Sequence, residues 1–156
     1  MRLHRALTAL PLAFLLGCGG DSSQGEDCVV ALSPTLNAAY AGTYAATFAP
    51  RGSAVGGTLR FGLTVAANGT VSGTVVDPTA SSPTPSAVTG LVGDQASTCG
   101  TTLFVELRYT PIGGIEETLR ANGKRADTPV GKYKGVRSSN DGTDEASGSL
   151  VVSASE

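Results

Sequence analysis

Residues 57–76 read GTLRFGLTVAANGTVSGTVV. Leu59, Phe61, Leu63 and Val65 fall on one face of an extended chain, and Thr58, Arg60, Gly62 and Thr64 fall on the other. This period of two marks a half-buried strand. Asn68-Gly69 follows, the strongest short hairpin signal, because both residues tolerate positive φ. The return segment turns Val71, Gly73 and Val75 inward. One antiparallel hairpin with an apolar face is therefore written into twenty consecutive residues.

The same alternation recurs on both sides. Residues 42–48 (GTYAATF) place Tyr44, Ala46 and Phe48 on one face. Residues 78–86 (PTASSPTPS) are too rich in Pro and Ser for a central strand and read as a loop or sheet crossing. Residues 87–93 (AVTGLVG) resume the pattern. In residues 101–110 (TTLFVELRYT), Leu103, Val105, Leu107 and Tyr109 alternate with Thr102, Phe104, Glu106 and Arg108. Ile115–Ala121 reads as a further strand, too short for a stable isolated helix, with Asn122-Gly123 as the turn after it. Residues 131–138 and 146–154 form a last hairpin around Asn140-Asp141-Gly142. The expectation is an all-β domain, an antiparallel up-and-down β-barrel or β-sandwich of about eight strands with neighbour-to-neighbour connections. High Gly, 5% aromatic residues and no Trp agree with strands and turns.

The N-terminus has a different grammar. Arg2, His4 and Arg5 precede an apolar run from Ala6 to Leu16, and Gly17 is a small residue before a cut. This is the layout of a secretory signal, too short to span a bilayer. Leu15-Leu16-Gly17-Cys18 resembles the lipobox of bacterial lipoproteins. The resemblance implies that residues 1–17 are removed, that Cys18 is acylated and becomes the mature N-terminus, and that the protein is held in the bacterial cell envelope. Gly19, where an aspartate would favour the inner membrane, implies the outer membrane. Two or three acyl chains anchor firmly, at about 0.8 kcal/mol per buried methylene. Residues 18–27 then form a lipidated flexible tether, and residues 28–156 form the domain. Gly42-Thr43-Tyr44 also resembles, distantly, the Gly-x-Trp opening of lipocalin- and avidin-like barrels, with Tyr44 in place of the tryptophan. That resemblance implies a barrel and no particular ligand.

Two cysteines remain, Cys28 and Cys99. In an exported protein they most simply pair, and the rival is two buried free thiols. A bridge closing a loop of about 70 residues is worth roughly 4 kcal/mol in the loop-entropy model.

Most chemistry is excluded by composition. The single histidine, His4, lies in the signal, so the mature chain has none for a catalytic triad or for a histidine-bound metal. Without residues 1–17, nine basic and thirteen acidic residues remain, a net charge of −4, which disfavours nucleic acid. Lys124, Arg125, Lys132, Lys134 and Arg137 read as a solvated face. Glu106, Glu116 and Glu117 are the only candidates for a carboxylate pair, and Glu106 with Arg108 reads better as a surface cross-strand ion pair. Asp141, Asp144 and Glu145 fail the spacing of an EF-hand and read as a solvated hairpin turn, with a weak Ca2+ site as the lesser alternative; Asn68-Gly69-Thr70 matches a glycosylation sequon and reads only as a turn. No catalytic residue, cofactor or metal is expected. The expected function is a lipid-anchored binding or interaction module for a small ligand, glycan or envelope protein. The alternatives are a structural envelope lipoprotein without a pocket and, remotely, a histidine-independent hydrolase built on Glu106 and Glu117.

Overall fold

The computed structural model describes residues 29–31, 34–51, 57–79, 83–95, 102–112 and 114–155. A short strand β1 (Val29–Ala31) and a helix α1 (Pro34–Tyr40) precede eight longer strands. These are β2 (Gly42–Pro50), β3 (Leu59–Val65), β4 (Thr70–Val76), β5 (Ser86–Gln95), β6 (Thr102–Tyr109), β7 (Glu117–Lys124), β8 (Gly131–Ser139) and β9 (Glu145–Ala154). Each pairs antiparallel with its neighbour in sequence, and β9 returns to β2, with Phe48 opposite Leu150. The sheet is closed, so of the two expected architectures the barrel is the one formed. Cys18, Cys28 and Cys99, with the expected signal (residues 1–17) and tether (residues 18–27), lie outside the described residues.

The inward residues are those the alternation picks out. Leu59, Phe61, Leu63 and Val65 of β3 alternate strictly with exposed residues, and Leu103, Val105, Leu107 and Tyr109 line β6. Together with Phe48, Leu119 and Leu150 they belong to one contiguous apolar cluster. The rings of Phe61 on β3 and Tyr109 on β6, with two strands between them in the wall, meet edge to face at 6.0 Å. Side chains thus fill the middle of the barrel, as expected for eight strands.

Outside, Thr43, Thr47, Arg60, Thr64, Ser72 and Thr89 are exposed to solvent. A barrel that crosses a bilayer turns an apolar band outward, and this wall has the opposite polarity. No helix among the described residues is long and apolar enough to cross a membrane.

Two glycines set the bend of the wall. A Cβ on Gly73 would stand 2.0 Å from the Gly62 carbonyl oxygen, and one on Gly90 would stand 2.0 Å from that of Glu106. The neighbouring backbone passes too close there for any side chain. Gly135 and Gly148 face each other across β8 and β9, and the Phe48 ring lies over both. With Leu119 over Gly135, it covers backbone that has no side chain of its own there.

Each end of the barrel is closed differently. At the end where β2 begins, Tyr40 of α1 is fully buried and its hydroxyl donates to the Ala126 carbonyl in the β7–β8 connection. Tyr44 donates to the Tyr40 carbonyl at 3.0 Å, and Tyr133 donates to the Pro129 carbonyl at 2.6 Å. Three tyrosines therefore tie the helix and a loop across this mouth. At the opposite end, Tyr109, Glu117 and Arg137 form a polar stopper.

Two local expectations are corrected. Asn122-Gly123 is not a turn, because β7 runs through it to Lys124. Gly123 is needed for space, since a Cβ there would stand 2.7 Å from the Tyr133 ring. At Asn68-Gly69 only the glycine takes positive φ, at 82°, and the Asn68 carboxamide oxygen accepts from the Thr70 amide and hydroxyl. Neither β1 nor α1 was expected. Pro34 opens the helix, where its fixed φ suits the first turn.

The glycine geometry predicts a contrast. Gly73→Ala should lower stability by about 1–3 kcal/mol through forced overpacking. Gly62→Ala, whose Cβ would meet only the Thr74 hydroxyl at 3.7 Å, should stay within about 0.5 kcal/mol of wild type. Urea denaturation of the two variants measures the difference. The tyrosines predict alkaline sensitivity. Burial, and secondarily the neighbouring Tyr40, push Tyr133 up to about 12. In the unfolded chain a tyrosine titrates near 10, so this stabilisation is complete below about pH 10 and is lost as pH rises toward 12. Denaturation midpoints measured across that window should fall in wild type and fall less steeply in Tyr133→Phe.

Candidate functional site

The carboxylates singled out by the sequence do not converge. Glu106 points outward from β6, whereas Glu117 opposes Tyr109 on the inner face. The two therefore stand on opposite faces of the sheet, and no glycosidase-like pair forms between them. Glu116, before β7, is exposed, and its side chain accepts from Asn140.

Glu106 is not the solvated surface partner expected. It is 6% exposed and held from two sides. Arg108, two residues on along the same strand, approaches one carboxylate oxygen with Nε at 2.8 Å and Nη2 at 2.6 Å. Arg120, opposite Glu106 on β7, reaches the other oxygen with Nε at 3.1 Å. The cross-strand partner is thus Arg120, and Arg108 is the same-strand one. Two guanidiniums on one carboxylate leave the cluster positive.

Arg137, expected on a solvated face, lies inside the barrel mouth at 7% exposure. Its Nε is 3.6 Å from Glu117, whose same oxygen accepts from the Tyr109 hydroxyl at 2.5 Å. Burial first, and then the adjacent Glu117, drive Tyr109 well above the ordinary tyrosine range, so it stays protonated and donates. A buried guanidinium needs such a partner, because an uncompensated charge there costs several kcal/mol.

The Asp141 turn is hydrogen-bonded within itself. One Asp141 oxygen accepts from the Ser139 hydroxyl, the Thr143 amide and the Thr143 hydroxyl at 2.6, 3.0 and 2.8 Å. These hydrogen bonds hold its carboxyl below the usual carboxylate range, with Ser139 the largest cause. No group of three or more metal-ligating residues occurs among the described residues.

A concave feature of the described wall lies outside the barrel. A groove of about 530 Å3 crosses the outer face of β7, β8 and β9 toward the end of β2. Register builds it. Arg120 of β7 stands opposite Val136 of β8, and Val136 opposite Ser147 of β9. The Arg51 amide, just past β2, donates to the Ser147 carbonyl at 2.8 Å. One row therefore runs Arg120, Val136, Ser147, Arg51. Asn122 and Lys134 oppose each other in the next row, and Ser138 opposes Glu145 on the other side. Phe104 lies at the β6 edge and is 2% exposed. Three cations face one carboxylate, on a chain whose net charge is negative. Of the three cations, sequence reasoning named only Lys134 for its charge. Period two puts Arg120 and Asn122 on one face of β7, but only the interstrand register brings them beside Lys134 and Arg51.

The Glu106 cluster has a measurable weight. Glu106→Ala should cost about 1–2 kcal/mol, because it strands two half-exposed arginines that water can partly solvate. Arg108→Ala should cost less than about 1 kcal/mol, since Arg120 remains on the carboxylate. Chemical denaturation of both variants tests that ordering. Comparison of the chain with protein-family models, with curated proteins and with solved structures finds no match.

Proposed function

We propose that this is a bacterial lipoprotein, anchored through acylated Cys18 in the outer membrane, whose barrel is a binding module that works from its outer wall. The observation that carries the binding reading is the groove, a concavity with excess positive charge on an acidic chain. Among the described residues, the inward side chains pack on one another. Leu59, Phe61, Val105 and Tyr109 are each 4% exposed and belong to the cluster that fills the barrel. A carrier that encloses its ligand within the strands is therefore set aside, and so is a hydrolase using Glu106 with Glu117. A structural lipoprotein without a ligand would also have a filled barrel; the groove is what favours binding.

The end at which the chain joins the barrel supports an anchor that leaves the groove open. The chain enters the barrel at β1, which pairs with Gly93–Gln95 at the end of β5. That end carries α1 and the tyrosines. Arg51, Ser138 and Glu145 lie at the opposite ends of their strands, so a tether from Cys18 reaches the barrel away from them. The β1–β5 pairing also supports a bridge between Cys28 and Cys99. Val29 stands opposite Gln95, and the two cysteines follow at one residue and four residues from that pair.

Mass spectrometry of the mature N-terminus should find Cys18 acylated and residues 1–17 absent, and Cys18→Ser should move the protein out of the membrane fraction. A free Cys18 thiol in the wild type would overturn the assignment. Peptide mapping without reductant should recover Cys28 joined to Cys99, and Cys28→Ser should lower stability by up to roughly 4 kcal/mol. Recovery of two free thiols would refute the bridge.

A further inference from the structure

Resting on the reading of the outer wall as a binding surface, we infer that the groove takes an acidic saccharide, one whose sugar units bear carboxylate or phosphate groups. Charge is the first ground. Among the described residues, neither Arg51 nor Lys134 has an ion-pair partner, and both are exposed. Arg120 engages Glu106 through Nε. Its side chain is 60% exposed, so the guanidinium can still meet an anion from solvent.

Spacing is the second ground. Adjacent strands lie about 4.8 Å apart, so the step from β7 across β8 and β9 to the end of β2 separates Arg120 from Arg51 by roughly 14 Å of backbone. Lys134 lies between them. Cations distributed along a trough match anionic groups repeated along a short chain better than they match one compact ion. Between the cations stand the neutral groups of Asn122, Ser138 and Ser147, which can bond sugar hydroxyls. Val136, 39% exposed, offers an apolar spot to the C–H face of a sugar ring. Glu145 closes one side and disfavours a further anion there.

The competing partners fit less well. Peptide capture by strand addition needs a free edge, and β7, β8 and β9 are each hydrogen-bonded on both sides. Single-stranded nucleic acid needs exposed aromatic platforms, and Phe104, the aromatic residue of the groove, is buried. A flat bilayer surface does not reach the floor of a groove.

The test uses the full acylated chain in detergent micelles, titrated calorimetrically with tetragalacturonate, with maltotetraose phosphate and with neutral maltotetraose. At least one anionic probe should bind, more weakly as salt is raised, and the neutral probe should bind far more weakly. Lys134→Glu and Arg51→Glu should each weaken binding about tenfold or more, and Lys134→Gln by less. Arg60→Glu, on the outer face of β3 away from the groove, should leave binding unchanged. Equal binding of neutral and anionic probes, no binding of either anion, or unchanged affinity in Lys134→Glu overturns the inference. So does tighter binding of polyglutamate or of a single-stranded oligonucleotide. Acylation of Cys18 is read on the same preparation, so failure of the saccharide leaves the anchored-module reading to stand or fall by itself.

Discussion

Seven residue pairs join β2 to β9, from Tyr44 opposite Ala154 to Pro50 opposite Gly148. This ladder links the first long strand to the last, and the rest of the structure follows from it. It converts a meander of hairpins into a cylinder, so each inward side chain faces a common axis. An open sheet of the same sequence would expose one apolar face and two edges. Closure hides both at once, and a chain with so few aromatic residues can then bury what it has in a single core. Closure also dictates where recognition can occur. Among the described residues, β2 to β9 keep no free edge and the axis is occupied, so contact with another molecule falls to outward side chains, loops and the short strand β1.

Charge is arranged by the same constraint. Each strand offers an inner and an outer series, and the acidic residues divide between them. Glu117 goes inward, where it compensates the buried Arg137 and accepts from Tyr109. Glu106 goes outward, where two arginines converge on it. The inner arrangement seals a barrel mouth with a satisfied polar network, which an apolar barrel end needs if a guanidinium is buried there. The outer arrangement holds Arg120 at the border of the groove. One carboxylate is structural because it is enclosed with its partner. The other shapes a surface because its partners remain half in water.

The faces of the strands were legible because period two survives in single segments. Leu59 to Val65, Leu103 to Tyr109 and Tyr44 to Phe48 announce their inner sides without any knowledge of the neighbours. The barrel itself, against a sandwich, was not legible, because the β2–β9 ladder links segments about a hundred residues apart and leaves no local mark. Asn122-Gly123 misled for a related reason. The dipeptide has turn chemistry, but the Tyr133 ring needs the space at Gly123, and tertiary packing overrides the local preference. Helix α1, at seven residues, is too short to show a helical period. The groove was illegible for the deepest reason. Arg51, Arg120 and Lys134 are scattered in sequence, and only the register aligns them. Lys134 and Arg137 looked like members of one basic cluster, yet their opposite parity sends one outward and the other into the barrel.

The order of the strands around the wall has a consequence for how the chain matures. Every contact between consecutive strands is local and can form as soon as its hairpin exists, which favours early, rapid assembly. The closing ladder is different, because β9 is the last strand made. Until it is in place, a nascent chain carries an open sheet with β2 and β8 as bare edges. Those edges can template pairing with another copy. A protein exported through a membrane as an extended chain would avoid this interval in the compartment where it is synthesised. The whole set of strands would then meet on the far side, where the last can join the first without waiting on the ribosome.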